Sequence, residues 1–237
     1  MKILAVSDEV SLSLETLIAT DPGRFKDVNV IVSCGDLDTE YLEYIVDGIN
    51  REFCFVKGNH SHEISGRNCG HVKTERFAGV PQCVAGVQEL HGRVVALKNY
   101  LFAGFGGSMW YNGEVNQFTE RQMAQVIKKV ERGIAWHRLQ DKFMRRPPKD
   151  VIIISHAPVA DIHDLPDRAH KGFKCFKAFI DRVAPLLWLH GHIHLPNQHT
   201  NQLTVSGTTT IANVFGCKVI EINRRDIKVL SHCNCCS

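Results

Sequence analysis

Short apolar runs alternate with longer mixed segments through the first third of the chain. Lys2 to Ser7, Val28 to Ser33 and Phe53 to Val56 are brief, rich in β-branched residues and bounded by turn formers, which predicts buried strands. Between them, Leu12 to Ala19 and Glu40 to Ile49 carry apolar residues at helical spacing. This β-α-β-α-β rhythm predicts parallel strands joined by crossover helices. Strands are next predicted over Val94 to Leu97 and Leu101 to Ala103, leading into the glycine-rich turn Gly104-Phe105-Gly106-Gly107. A long helix follows, roughly Thr119 to Phe143, with Met123, Val126, Ile127, Val130, Ile134 and Leu139 assigned to one apolar face. Arg145-Arg146-Pro147-Pro148 ends it. Two more strands, Val151 to Ser155 and Leu186 to His190, flank an amphipathic helix around Phe173 to Val183. Then the texture changes. Leu203 to Ser206, Thr209 to Val214, Cys217 to Ile222 and Ile227 to Leu230 are rich in Thr, Val and Ile and are separated by Gly and by Asn-Arg-Arg-Asp, which predicts an antiparallel meander. No repeat or linker divides the sequence, so one α/β domain over residues 1–237 is expected.

Composition narrows the class. Hydrophobic residues make up 44% and charged residues 22%, which excludes disorder, collagen and coiled coil. The formal charge of +3 is too small an excess to point to nucleic acid or membrane, and neither is expected as a partner. No apolar run approaches the ~18–20 residues of a membrane span. The first residues run into a polar turn without the apolar core and cleavage site of a signal peptide, so a soluble cytoplasmic protein is expected. Nine cysteines therefore do not read as a disulfide framework. Cys34, Cys54, Cys175 and Cys217 lie in apolar runs and read as small buried hydrophobes. His232, Cys233, Cys235 and Cys236 have the donor types for a zinc clip, but no second cluster lies nearby in sequence to complete a tetrahedral site.

The chemistry sits where the strands end. Asp8 follows the first strand, Asp36 the second, and Asn59 and His60 the third. His156 follows the Val151 strand, and His192 and His194 follow the Leu186 strand. Open α/β sheets bind ligands at the carboxyl ends of their strands, so these side chains can converge in one crevice. A mixed His, Asp and Asn set suits Mn, Fe or Zn better than an all-oxygen calcium site. Two metals ~3.5–4 Å apart clamp both oxygens of an in-line phosphoryl displacement, and a carboxylate such as Asp36 can bridge them.

With Gly35-Asp36, Gly58-Asn59-His60, His156 and Gly191-His192-Ile193-His194 in this order, the chain resembles the calcineurin-like metallophosphoesterases. The resemblance implies a four-layer αββα sandwich, two mixed β-sheets flanked by helices, with a dinuclear centre at the strand ends. Carried over by position, Asp8, Asp36 and His194 would hold one metal, and Asp36, Asn59, His156 and His192 the other. His60 would be the non-ligand histidine that stabilises the transition state or protonates the leaving oxygen. Three departures stand out. The family's first motif is Asp-x-His, and this chain reads Asp8-Glu9-Val10, so the first metal loses a ligand. The acidic residue expected beyond Gly35-Asp36 is shifted or absent in Leu37-Asp38-Thr39. Ser61 stands where Asp or Glu is usual, with His62 and Glu63 nearby.

The expected function is therefore hydrolysis of a phosphomonoester or phosphodiester, a small phosphate-ester substrate, by a hydroxide activated on two divalent ions, Mn, Fe or Zn. The alternative is a non-catalytic phosphoesterase-fold scaffold with a degraded first site. Around the centre, His163 to Gly172 offers polar groups that can meet a phosphate, and Gly104 to Ser108 reads as a tight turn. Trp110, Tyr111 and Asn112 read as stacking residues or as the core rim. The basic helix residues Lys128, Lys129, Arg132, Arg138 and Lys142 read as a solvated face diluted by Glu120, Glu131 and Asp141.

Overall fold

Strands that are apolar on both faces need cover on both sides. The computed structural model, which describes residues 1–60 and 87–231, supplies it with two six-stranded mixed sheets. In the first sheet β1 (Lys2–Ser7), β2 (Val30–Ser33), β3 (Glu52–Phe55) and β4 (Val87–Glu89) run parallel. α1 (Leu12–Thr20) and α2 (Thr39–Ile49) are the crossovers between the first three. Ile3 and Ala5 point to the space between the sheets, while Leu4 and Val6 meet Leu14, Ile18, Tyr41 and Ile45 of the helices. The second sheet holds β5 (Val94–Leu97), β6 (Tyr100–Phe105), β9 (Asp150–Ser155) and β10 (Leu187–His190), ending in β12 (Thr209–Asn213) and β11 (Leu203–Ser206). Its outer face packs on α3 (Glu120–Phe143) and α4 (Lys174–Val183), and a short ribbon of β7 (Ser108–Met109) and β8 (Gln117–Phe118) leads into α3. The layers are helix, sheet, sheet, helix. This is the αββα sandwich that the family resemblance implied.

The capping signals are local and strong. Asp38 caps α2 by accepting from the Tyr41 N–H at 2.7 Å, which gives that carboxylate a structural task. Thr119 opens α3 with a reciprocal box to Gln122. Among the described residues, no helix is long and apolar enough to cross a membrane.

Three sequence expectations change. The C-terminal strands are not one meander: β11 and β12 form a hairpin in the second sheet, while β13 (Gly216–Asn223) and β14 (Asp226–Ser231) form another that pairs antiparallel with β1 in the first. The turn at Val214-Phe215 carries the chain across the sandwich, because each hairpin finds a free strand edge to cover. The glycine-rich turn begins later than predicted, since Gly104 and Phe105 continue β6 and Phe105 packs on Phe176 and Trp188. Leu139 stands on the exposed side of α3 rather than with Met123, Ile127, Val130 and Ile134. Cys34, Cys54 and Cys217 are buried and Cys175 is half-buried, all as free thiols. The cysteine-rich tail from His232 and the Ser61, His62 and Glu63 positions lie outside the described residues.

Trp188 joins this core to the site. It is fully buried among Phe105, Phe176 and Phe179, and its indole N–H donates to Ser155 Oγ at 2.8 Å, one residue before His156. Trp188→Ala is expected to cost about 3–5 kcal/mol of stability. Urea unfolding followed by circular dichroism measures this, and a loss below about 1 kcal/mol would contradict the packing described.

Candidate metal centre

Five strand ends deliver the site. The chain leaves β1 at Asp8, β2 at Gly35-Asp36, β3 at Gly58-Asn59-His60, β9 at His156 and β10 at Gly191-His192. Backbone hydrogen bonds tie the ends together: Asp8 N–H to Gly35 O at 3.1 Å and Gly191 N–H to His156 O at 3.1 Å. Asp8, Asp36 and His192 all adopt left-handed backbone, with φ of 64°, 54° and 68°. Each such residue costs about 1–3 kcal/mol, and strain of this kind concentrates at functional sites. The turns also leave no room for side chains at two glycines. A Cβ on Gly58 would collide with the Asp36 carboxylate, and one on Gly191 would collide with Ser7 Oγ and Asp8 Oδ2.

Asp36, His156 and His192 offer ligand atoms that all lie within 4.8 Å of one another. His156 is fully buried and its protonation geometry is set by its neighbours. Nδ1 lies 2.8 Å from Cys34 O, an obligate acceptor, so Nδ1 carries the proton and Nε2 faces the site. Nε2 stands 2.8 Å from Asn59 Oδ1 and 3.1 Å from Asp36 Oδ2. The Asn59 amide is oriented by donation of its NH₂ to Tyr111 Oη at 3.2 Å, which leaves Oδ1 inward. Three acceptors thus converge on one point, an arrangement that needs either a proton or a cation between them. Ligands sharing one ion at bond lengths near ~2.1 Å stand roughly 3–4 Å apart, so the residues fit a divalent metal.

His192 is fixed in the same manner. Its Nε2–H donates to Ala169 O at 2.7 Å, which leaves Nδ1 with the lone pair. Its backbone N–H donates to both oxygens of Asp8 at 3.0 Å. Burial, aided by the charge of His156, holds the His192 imidazole down to about 3, so it is neutral over the physiological range. Burial raises the Asp8 carboxyl, with His156 partly offsetting it. Burial opposes charge on the Asp36–His156 pair too, but the contact between the two outweighs it. The imidazolium beside Asp36 holds that carboxyl down to about 2, and the carboxylates hold His156 up to about 9. Without a cation, a proton fills its place.

The remaining residues fall differently. His60 is exposed, and its backbone N–H donates to Asp36 Oδ1 at 3.0 Å. His194 is exposed with its ring against Phe215, centroids 5.1 Å apart, outside the Asp36–His156–His192 cluster. Val10 packs against the apolar cluster under α1 and α2. Glu9 is exposed and lines a surface cavity with Ser13, Asn197 and Phe215.

Sequence reading missed the outer supports. The His163 to Gly172 loop holds the site mainly through its backbone, by the Ala169 carbonyl on His192. His170 pairs with Asp167 at 3.0 Å, and its ring lies 5.2 Å from that of His192. His163 turns inward to His190, Nδ1 to Nε2 at 2.9 Å, and its Nε2 meets Thr204 Oγ1 at 2.9 Å. Burial lowers His163 to about 4 and His190 to about 3, so this buried chain is neutral. A carbonyl's position leaves no mark in a sequence. The histidine content of the loop was the available signal.

The chain belongs to the calcineurin-like phosphoesterase family, whose family model matches residues 1–196. A search of curated proteins finds no match. Among solved structures, the chain is similar to TT1561 of Thermus thermophilus, with a TM-score of 0.64 at 14% identity over 97% of this chain and 98% of that one. It is similar to a dimetal phosphatase from Danio rerio, TM-score 0.56 at 12% identity over 98% and 99%. It is also similar to GAP50, the anchor in the inner membrane complex of Plasmodium, TM-score 0.56 at 9% identity over 97% and 83%. At these identities the likeness is one of fold.

The proton held by His156 yields a prediction with a definite sign. Because its pKa in the metal-free protein is about 9 and that of His192 is about 3, metal binding at pH 7 should release about one proton, from His156. Apparent affinity should rise roughly tenfold per pH unit up to about 9 and then level off. Calorimetry with Mn²⁺ in buffers of different ionisation enthalpy reads the proton count, and a count of zero at pH 7 would contradict the pairing.

Proposed function

We propose that the protein is a metal-dependent phosphoesterase hydrolysing phosphomonoesters or phosphodiesters. The observation that carries this reading is the convergence of Asp36, His156 and His192, with Asn59 Oδ1 beside them and one ring nitrogen of each histidine committed to a backbone carbonyl, so that the other faces the site. When bound, divalent Mn, Fe or Zn would supply Lewis acidity to a phosphoryl oxygen and lower the pKa of water. Asp36, Asn59, His156 and His192 would hold one ion, and Asp8, Asp36 and His194 the other. Asp36 would bridge, its second oxygen steadied by the His60 N–H. His60, exposed at the mouth of the crevice, would meet the ester from the solvent side and help the leaving oxygen depart. Asp8 would also hold the β10 turn in place through the His192 N–H.

A second reading rests on Val10. With an apolar side chain where the family has a histidine ligand, the first site has fewer protein donors, and the chain would be a scaffold built on a phosphoesterase fold. The description of GAP50 as an anchor supports that a fold of this kind can serve such a role.

Turnover of bis-p-nitrophenyl phosphate and p-nitrophenyl phosphate with Mn²⁺, paired with metal analysis, separates the two. His156→Ala and His192→Ala should each abolish tight metal binding and activity with the fold retained. His60→Ala should keep the metal and lose roughly 10²–10⁴-fold in rate. Titration of metal-stripped protein should give two unequal steps, with Val10→His strengthening the weaker one. A single step with no turnover of either ester would favour the scaffold.

A further inference from the structure

The outer face of α3 is unused by the metal centre. Met123, Ile127, Val130 and Ile134 take the inner face, yet Trp136, Leu139 and Phe143, spaced i, i+3 and i+7, form a stripe on the opposite side. They are 59%, 57% and 89% exposed, and Met144, just beyond the helix, is 57% exposed. Contiguous large apolar side chains at such exposure mark an interaction site rather than ordinary surface. Basic residues flank the stripe. Arg132 lies one turn before Trp136, Lys129 two turns before it, Lys142 three residues after Leu139 and Arg146 three after Phe143, all exposed. The acids of α3 are engaged elsewhere: Glu120 accepts from the Lys174 and Cys175 N–H groups, Glu131 pairs with Arg182, and Asp141 is buried against Lys149.

Three residues beyond Phe143, at Arg146, the chain reaches a cationic cavity of about 510 Å³. Arg146, Lys149, Arg224 and Arg225 line it, with Tyr100 and Asp150 at the amino ends of β6 and β9. Lys149 and Arg225 have carboxylate neighbours, at 2.5 Å and 3.8 Å, whereas the side chains of Arg146 and Arg224 make no hydrogen bond or ion pair among the described residues. The cavity lies at the end of the sheets opposite the metal centre. Six residues of β9 at ~3.3 Å each put roughly 20 Å between them.

We propose that this face docks on a membrane surface rich in anionic phospholipid, with Trp136, Leu139 and Phe143 entering the interface and the cavity receiving a headgroup phosphate. The pairing of exposed Trp, Leu and Phe with flanking Lys and Arg is the chemistry of interfacial helices. A soluble polyanion gains nothing from the apolar stripe. A second copy of the chain would bring Arg132, Lys142 and Arg146 against their own kind. Nucleic acid stacks on rings but has no use for Leu139 and Met144. Contact of this kind needs no spanning helix, because the apolar face of α3 enters only the interfacial layer. This inference is independent of the phosphoesterase reading.

Co-sedimentation of the full chain with vesicles tests it, comparing phosphatidylcholine alone with phosphatidylcholine mixed with phosphatidylserine. Binding is expected only to the mixed vesicles and should fall as salt rises. It should drop on the order of tenfold or more in Arg146→Glu/Arg224→Glu, and comparably in Trp136→Ser/Phe143→Ser. Circular dichroism and Mn²⁺ affinity should match wild type in both variants, because neither touches the metal centre. No binding to mixed vesicles, or equal binding by wild type and both variants, overturns the proposal. So does a dimer in solution abolished by Trp136→Ser/Phe143→Ser, which would make the stripe a self-interface. Saturable binding of tripolyphosphate without vesicle binding overturns it as well, by assigning the cavity to a soluble ligand.

Discussion

The lone pair of His156 Nε2 has nowhere to go but into the site. Cys34 O takes the proton of the other ring nitrogen, the side chain is fully buried, and two oxygens, from Asn59 and Asp36, stand at hydrogen-bond distance. An uncompensated cluster of acceptors in a buried place costs several kcal/mol, so a positive charge must occupy it. The rest of the architecture positions that demand. β9 aims His156 outward from the middle of the second sheet, β2 and β3 bring Asp36 and Asn59 from the first, and the sandwich core fixes the distance between them.

Backbone conformation at the strand ends completes the site. Left-handed residues at Asp8, Asp36 and His192 reverse the chain sharply enough to present side chains from both sheets to one crevice. Aspartate tolerates that region better than most residues, because its short polar side chain can bond locally. His192 shares this conformation. Its N–H donation to Asp8, its ring N–H donation to Ala169 and the bare Gly191 before it are what hold it there. The strain and the placement of these side chains are thus two aspects of one arrangement, paid for by the core behind it.

The strands, the helices and the polar residues gathered at the strand ends were legible in the sequence, because buried parallel strands are written as apolar runs and their carboxyl ends are punctuated by Asp, Asn and His. What it could not carry is nonlocal. The second hairpin crosses between sheets because of edges that exist only in the assembled fold. Leu139 matched a helical pattern closely enough to be assigned inward, yet it lies with Trp136 and Phe143 on the outer side. The Ala169 carbonyl, the Tyr111 hydroxyl and the His163–His190 pair act through three-dimensional placement. The dinuclear assignment itself rests on resemblance, and the first site differs from the family at Val10.

The acceptors around His156 are built for a cation, and anomalous diffraction from crystals equilibrated with Mn²⁺ decides whether one binds there. A strong peak is expected within coordination distance of Asp36, Asn59, His156 Nε2 and His192 Nδ1 together. Crystals soaked in saturating Mn²⁺ that show no anomalous density among those four residues, with His156 still bonded to Asp36, would overturn this reading.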